Sequence, residues 1–352
     1  MAESTDTTND ITNETDTERA AFYDAIAPQS MTPLWEVMAG LVTPEPASAC
    51  QPAHWSYQAA RPHVLASGDL ITAEEAERRV LVLENPGLKG LSKATTSLYA
   101  GLQLVLPGEV AAAHRHSATA LRFLIEGEGG YTTVAGERVT MAPGDFVITP
   151  TWGWHDHGNA GDGPVIWLDG LDIPIIHTLD ASFAERSAEK AIAPTVPTGV
   201  TLAQYGNAML PDDPPPGQTS PIFHYPYDRS KAAIAAATLD ACHGRRLRYA
   251  NPVTGDYAMP TMAAYLQAFP AGFESQPYRA TDATVFCVAE GEGESEFGGQ
   301  TFRWTAGDVM VAPSWAWRRH RASKDAVLFS FSDRVVQEKL DLWREDRGNS
   351  AP

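Results

Sequence analysis

The sequence predicts an all-β-dominated fold of two related β-barrels with peripheral helices, and three observations predict it. The first is an internal repeat. Thr261 to Gly272 parallels Ser97 to Gly108, Val288 to Gly293 parallels Leu124 to Gly129, and Gly307 to Trp317 parallels Gly144 to Trp154. The second is that these stretches are short apolar runs cut by Gly and Pro, which is the pattern of strands. The third is the placing of the histidines. His114 and His116 are two apart, so on a strand they share one face. His155 follows after a return through several short strands, and a small barrel could bring it back as a third ligand. Three protein ligands on one face leave coordination positions open, as metal catalysis requires.

The 352 residues suffice for two or more domains with a sizeable core. A net charge of −18 argues against nucleic acid or an anionic membrane as partner. Cys50, Cys242 and Cys287 are scattered and form no CxxC pair, which points to a reducing compartment. The polar, acidic N-terminus has neither a basic nor an apolar signal region, and no stretch is apolar enough to span a bilayer. The expectation is a soluble, cytoplasmic protein.

In chain order, residues 1–16 read as a disordered acidic tail. Residues 17–70 form a helical and irregular segment, with Phe22, Tyr23 and Ile26 on one helix face and a second short helix from Pro33 to Leu41. Residues 71–178 hold the metal-binding barrel, opening with a capped helical turn that runs into a buried strand, Val80 to Leu83. Residues 179–250 are a linker, with a polyproline turn at Pro211 to Gly217 and a helix from Ser230 to Asp240. Residues 251–334 are the second barrel, and residues 335–352 carry a C-terminal amphipathic helix, Val335 to Arg347, and a tail. In the second copy Tyr278, Ala280 and Arg318 replace His114, His116 and His155, and only His320 persists, opposite His157. This barrel is expected to bind no metal and to serve packing and stability.

Several polar residues fall on inward strand faces. Tyr99, Gly101, Gln103 and Val105 share a face, and a buried Tyr and Gln need hydrogen-bond partners that a polar ligand would supply. Arg122 shares a face with Ala120 and Leu124, where a cation is costly unless an anion pairs with it. Arg78 and Arg79 either clamp an anionic substrate or pair with Glu74 or Glu75 at the surface. Asp169 is a candidate catalytic-site residue, the orienter of a histidine or arginine, ahead of a plain turn residue.

The stretch from Gly108 to Asn159 resembles the cupin family. Gly108, His114 and His116 match its first motif, and Gly144, Pro150, His155 and Asn159 its second. The glutamate expected in the first motif is absent, its place taken by Ala120, Leu121 or Arg122. Within the cupins, the three-histidine set and the segments His114 to Ser117, Leu121 to Gly129, Trp154 to Asn159 and Trp167 to Pro174 resemble the gentisate 1,2-dioxygenase group. That group includes salicylate and 1-hydroxy-2-naphthoate dioxygenases. The resemblance implies a bicupin, two jelly-roll β-barrels, with Fe(II) on His114, His116 and His155. It implies that Arg78 rather than Arg79 lies near substrate, and that Tyr99, Gly101 and Gln103 line the pocket. It makes His157 an acid–base or hydrogen-bonding group, and Arg122 a clamp for the substrate carboxylate. The implied reaction opens gentisate with O2 to maleylpyruvate, in a homotetramer. A metal cupin of another chemistry, such as a decarboxylase or isomerase, is disfavoured by the missing glutamate and the added Arg122. A non-catalytic bicupin is the remaining alternative.

Overall fold

The computed structural model describes residues 7–348 and divides into two compact units, Met1–Ala47 and Ser48–Pro352. The first unit carries α1 (Thr7–Ile26) and α2 (Leu34–Leu41). The first six residues of the expected tail lie outside the described residues. From Thr7 the chain is helical, so α1 starts earlier than the apolar pattern predicts. Within this unit Phe22 stacks on Trp35, and the Trp35 indole donates to the Tyr23 hydroxyl at 2.8 Å. Leu34, Trp35, Met38 and Leu41 are exposed.

The second unit begins with β1 (Ala53–Trp55), α3 (Tyr57–Leu70), α4 (Ala73–Ala76) and β2 (Val80–Val82). Thr72 caps α4 by accepting from the Glu75 amide at 3.1 Å. There follow β3 (Tyr99–Val105), β4 (Val110–His116), β5 (Ala120–Glu126), β6 (Gly130–Val134) and β7 (Glu137–Thr140). Next come β8 (Phe146–Thr149), β9 (His155–Asn159), β10 (Val165–Leu171), α5 (Ile173–Thr178) and β11 (Ala184–Arg186). These strands make two sheets, in the orders β2–β3–β10–β5–β8 and β7–β6–β9–β4–β11. The strand Val80 to Leu83 is not buried along its length as expected. It is the sheet edge, and Leu81 and Val82 are exposed.

After α6 (Val200–Tyr205), β12 (His224–Tyr225) and α7 (Tyr227–Ala235), the second barrel starts at β13 (Leu239–Asp240) and β14 (Gly244–Arg248). That is earlier than residue 251, because β14 pairs along β15 (Ala263–Phe269). The barrel continues through β16 (Arg279–Ala280), β17 (Thr284–Glu290), β18 (Glu292–Phe297) and β19 (Gln300–Thr305). It closes with β20 (Val309–Ala312), β21 (Arg318–Ala322) and β22 (Ala326–Ser332). The C-terminal helix is also corrected. α8 spans only Arg334–Lys339, the chain turns at Asp341 with φ 57°, and β23 (Glu345–Asp346) pairs with β16.

The repeat in the sequence is a repeat in space. The β2–β3–β10–β5–β8 sheet of the first barrel packs against the β20–β17–β22–β15–β14 sheet of the second, around one core that includes Leu121, Phe123, Ile148, Val285, Phe329 and Phe331. Phe123 stacks on Phe329 at 4.4 Å between ring centres. A Cβ on Gly170 would come within 2.7 Å of Phe331, so the sheets approach this closely only over a glycine.

Each barrel also borrows a strand from the segment that leads into the other. β1 pairs with β20 of the second barrel, and β12 pairs with β8 of the first. His54 meets Asp308 at 3.0 Å, and His224 meets Asp145 at 2.7 Å. This exchange leaves each barrel interior to its own side chains. The second is filled by Phe269, Phe286, Phe297, Trp304 and Leu328, whereas the first keeps polar groups at one end.

Candidate metal centre and pocket

His114 and His116 stand on β4, beside His155 on β9. A bulge between Ala111 and His114 shifts the register so that His114 sits opposite His155. Ring centres lie 4.1 Å apart for His114 and His155, 4.9 Å for His116 and His155, and 5.2 Å for His114 and His116. One nitrogen of each lies within 4.8 Å of the others, so a single ion can be shared.

The tautomers suit it. His116 Nδ1–H donates to the Ala118 carbonyl at 2.7 Å, and His155 Nδ1–H to the Gly153 carbonyl at 2.8 Å. Each ring is thereby fixed with Nε2 as its lone-pair side. His155 Nε2 is buried without a hydrogen-bond partner, an arrangement that costs free energy in the absence of a ligand. Burial, then the neighbouring cations Arg78 and Arg122, hold the His114 imidazole down at about 2. Burial lowers His116 and His155 as well. All three are neutral imidazoles, the form that binds a metal.

Two arginines flank the triad. Arg78 Nη2 lies against His114, near Nδ1 and 3.1 Å from Nε2, and also donates to the Ala112 carbonyl at 2.9 Å. Arg79 points elsewhere and forms a two-pronged ion pair with Glu109 at 2.7 and 2.8 Å. Arg122 is buried, with Nη1 on Thr149 Oγ1 at 2.7 Å, Nη2 on His157 Nε2 at 2.8 Å, and Nε 3.5 Å from Asp169 Oδ1.

Asp169 lies in mid-strand on β10, opposite Arg122, and also accepts from the Trp167 indole at 3.0 Å. Burial raises its carboxyl to about 6 although Arg122 opposes the shift. Gln103 is buried and its Nε2 has no partner. Tyr99 stands next to Gly101, where a Cβ would meet Val80 Cγ1 at 2.5 Å and the Tyr99 hydroxyl at 3.0 Å. Only glycine lets β2 and the Tyr99 ring close over this point. A cleft of about 880 Å³ opens onto His114 and Arg78. The ion pairs Glu77–Arg186 and Glu74–Lys190 lie at its mouth.

The sequence reading missed Arg115. Its guanidinium lies 4.6 Å from the Trp152 ring centre and 4.7 Å from that of Trp154, in the segment before β9, and pairs with Glu185 of β11 at 2.5 Å. The second barrel repeats the arrangement with Arg279 over Trp315 and Trp317 at 4.4 and 4.5 Å. The signal was present as Trp-x-Trp in both copies. The histidines His54 and His63 take no part: the first pairs with Asp308, and the second is exposed.

Two cupin-like barrels, one with a three-imidazole cluster able to hold a metal ion and arginines at its edge, define a bicupin with a candidate metal site. Cupin domain matches cover residues 101–171 and 265–331, the two strand repeats. Gentisate 1,2 dioxygenase 1 of Aquipseudomonas alcaligenes is 54% identical, over 94% of this chain and 96% of that protein. The crystal structure of salicylate 1,2-dioxygenase from Pseudaminobacter salicylatoxidans superposes with a TM-score of 0.87 at 33% identity, covering 94% of this chain and 97% of that one. A glycine-to-alanine mutant of that enzyme in complex with gentisate gives 0.89 at 32% identity, covering 95% of each chain. The chain belongs to the gentisate 1,2-dioxygenase family and is a ring-cleaving dioxygenase.

Proposed function

We propose that this enzyme opens gentisate with O2 between the carboxyl- and hydroxyl-bearing carbons, giving maleylpyruvate, with Fe(II) held by His114, His116 and His155. The unpartnered Nε2 of buried His155, facing two other neutral imidazoles, carries the reading. When bound, iron(II) supplies a Lewis acid and an electron relay between a chelated ring and O2. Both oxygen atoms end in the product, so no outside reductant is needed.

The chain's own residues do the rest. Arg78 and Arg122 supply two guanidinium groups for the substrate's carboxylate and ring oxygens. His157 holds Arg122 in line, and Asp169 balances that cation. Gln103 Nε2 and the Tyr99 hydroxyl offer hydrogen bonds to the ring substituents. The apolar layer beneath, which includes Val105, Leu124, Val147 and Trp167, excludes water from the closed end of the barrel.

The proposed setting is the degradation of aromatic compounds in the cytoplasm. Three free, buried cysteines suit a reducing compartment, and among the described residues no helix is long and apolar enough to cross a membrane. The exposed apolar face of α2 supports subunit contact in a homotetramer.

Protein reconstituted anaerobically with iron(II) and given gentisate, then salicylate and 1-hydroxy-2-naphthoate, tests the reading. Oxygen uptake matched one-to-one by a ring-opened chromophore is expected with gentisate as the fastest substrate. A faster rate with either alternative would reassign the substrate. No uptake with any of them, despite stoichiometric iron, would overturn the proposed reaction.

A further inference from the structure

The second barrel keeps the position of the metal centre and changes its chemistry. Tyr278 and Arg318, in place of His114 and His155, line a small void together with His243, Arg246, Gln267 and His320. Its volume is about 20 Å³, room for one atom-sized occupant.

Two guanidinium groups face this void. Arg318 is 6% exposed. It donates through Nη1 to Thr284 Oγ1 at 2.8 Å and through Nη2 to the Asp282 carbonyl at 3.0 Å, and its buried Nε has no partner. Arg246 enters from β14, with its guanidinium 3.7 Å from the centre of the Tyr265 ring and Nη1 3.3 Å from His243 Nδ1. Its Nε is also buried without a partner. The nearby carboxylate of Asp282 is already engaged by the Trp343 indole at 2.9 Å and the Thr284 hydroxyl at 3.4 Å.

The histidines add no charge. Burial and the two arginines lower His243, and they hold His320 down at about 3. Ser295 accepts from the Trp304 indole at 2.9 Å and meets His320 Nδ1 at 2.8 Å.

We propose that this void is a halide site, in which a chloride ion rests on the Nε–H groups of Arg246 and Arg318. One buried and one half-buried guanidinium, each with a buried Nε–H that has no partner, favour an anion here. Two guanidinium charges stand against the buried carboxylate of Asp282, so a water molecule would satisfy the hydrogen bonds but leave one positive charge unbalanced. The barrel that lost its metal ligands would thus retain a bound ion of opposite sign, one that ties β14 to β21.

The test compares the metal-loaded protein in sodium chloride and in sodium gluconate at equal ionic strength, so that screening is the same. Melting temperature should rise saturably with chloride, by at least about 2 °C. Crystals soaked in bromide should show an anomalous peak between the two guanidinium groups. Arg246→Met should lose the chloride response while keeping its iron content and its rate of oxygen uptake. Identical melting in both salts, or bromide maps with no peak at this position, overturns the proposal. Both of those measurements use the unaltered protein and do not depend on the variant folding.

Discussion

Arg122 Nη2 lies 2.8 Å from His157 Nε2, and this contact fixes the proton of His157 on the far side of the ring. A guanidinium can only donate, so Nε2 accepts, and Nδ1–H donates to Thr132 Oγ1 at 2.9 Å. In the second barrel His320 Nδ1 meets the Ser295 hydroxyl at the matching place, at 2.8 Å. His157 is therefore a neutral brace for Arg122, and burial first, then Arg122, keeps it so. If Arg122 binds the substrate carboxylate, Arg122→Met should raise KM for gentisate by roughly 10- to 100-fold with iron content unchanged. His157→Phe should raise KM in the same direction, by less. A KM unaltered in both variants would place the carboxylate elsewhere.

Removing one imidazole of the triad should be decisive. His155→Ala leaves His114 and His116 without the buried nitrogen that faces them, so both iron binding and oxygen uptake should vanish. Metal analysis of the dialysed variant checks the first, and an oxygen electrode the second. Retention of either sinks the triad. The converse change, Arg318→His, should add no iron, because Tyr278 and Ala280 still supply no imidazole.

Arg115 should matter through the ligands it spaces. Sandwiched between Trp152 and Trp154, it ties β4 to the loop that leads into His155. Arg115→Ala should weaken iron binding by roughly 10- to 100-fold, as loss of a supporting group around a metal site does. Arg279→Ala, the same change in the second barrel, should leave iron affinity untouched. Equal effects would mean that the sandwich only stabilises the fold.

The sequence showed the three-histidine cluster because a metal-ligand set leaves few choices of side chain and spacing. His114, His116 and His155 are readable as letters. The repeat was readable too, since both barrels need glycine at the same turns. What escaped depended on contacts distant in sequence. Arg78 and Arg79 are adjacent, and nothing local says that Glu109 claims the second. The exchanged segments β1 and β12 are three and two residues long, too short to carry a period. Asp169 was legible as a candidate orienter, but the Trp-Leu-Asp-Gly letters alone did not separate that from a turn residue. In the structure Gly170 makes room for Phe331.

A last prediction concerns how the two barrels are held together. Asp172 accepts from the Thr119 amide of its own barrel at 2.8 Å and from the Thr261 hydroxyl of the other at 2.5 Å. Asp333 does the same in mirror fashion, with the Ala283 amide at 3.0 Å and the Ser97 hydroxyl at 2.7 Å. Burial pushes both carboxyls up to about 6, and for Asp333 the charge of Asp282 adds to the shift. A folded-state pKa above the unfolded value, near 4, means that the folded chain holds the proton more tightly. The stability tied to that proton is fully present below about pH 4 and is lost as pH rises through about 6. An asparagine carries no titrating proton. It can still accept from the amide, and its NH2 can donate to Thr261 once that hydroxyl turns. Relative to Asp172→Asn, the metal-free wild-type protein should therefore lose up to about 3 kcal/mol of unfolding free energy between pH 4 and pH 7. Urea titrations of both proteins across that range measure it. Parallel curves would show that Asp172 ionises in the folded protein as readily as in the unfolded chain.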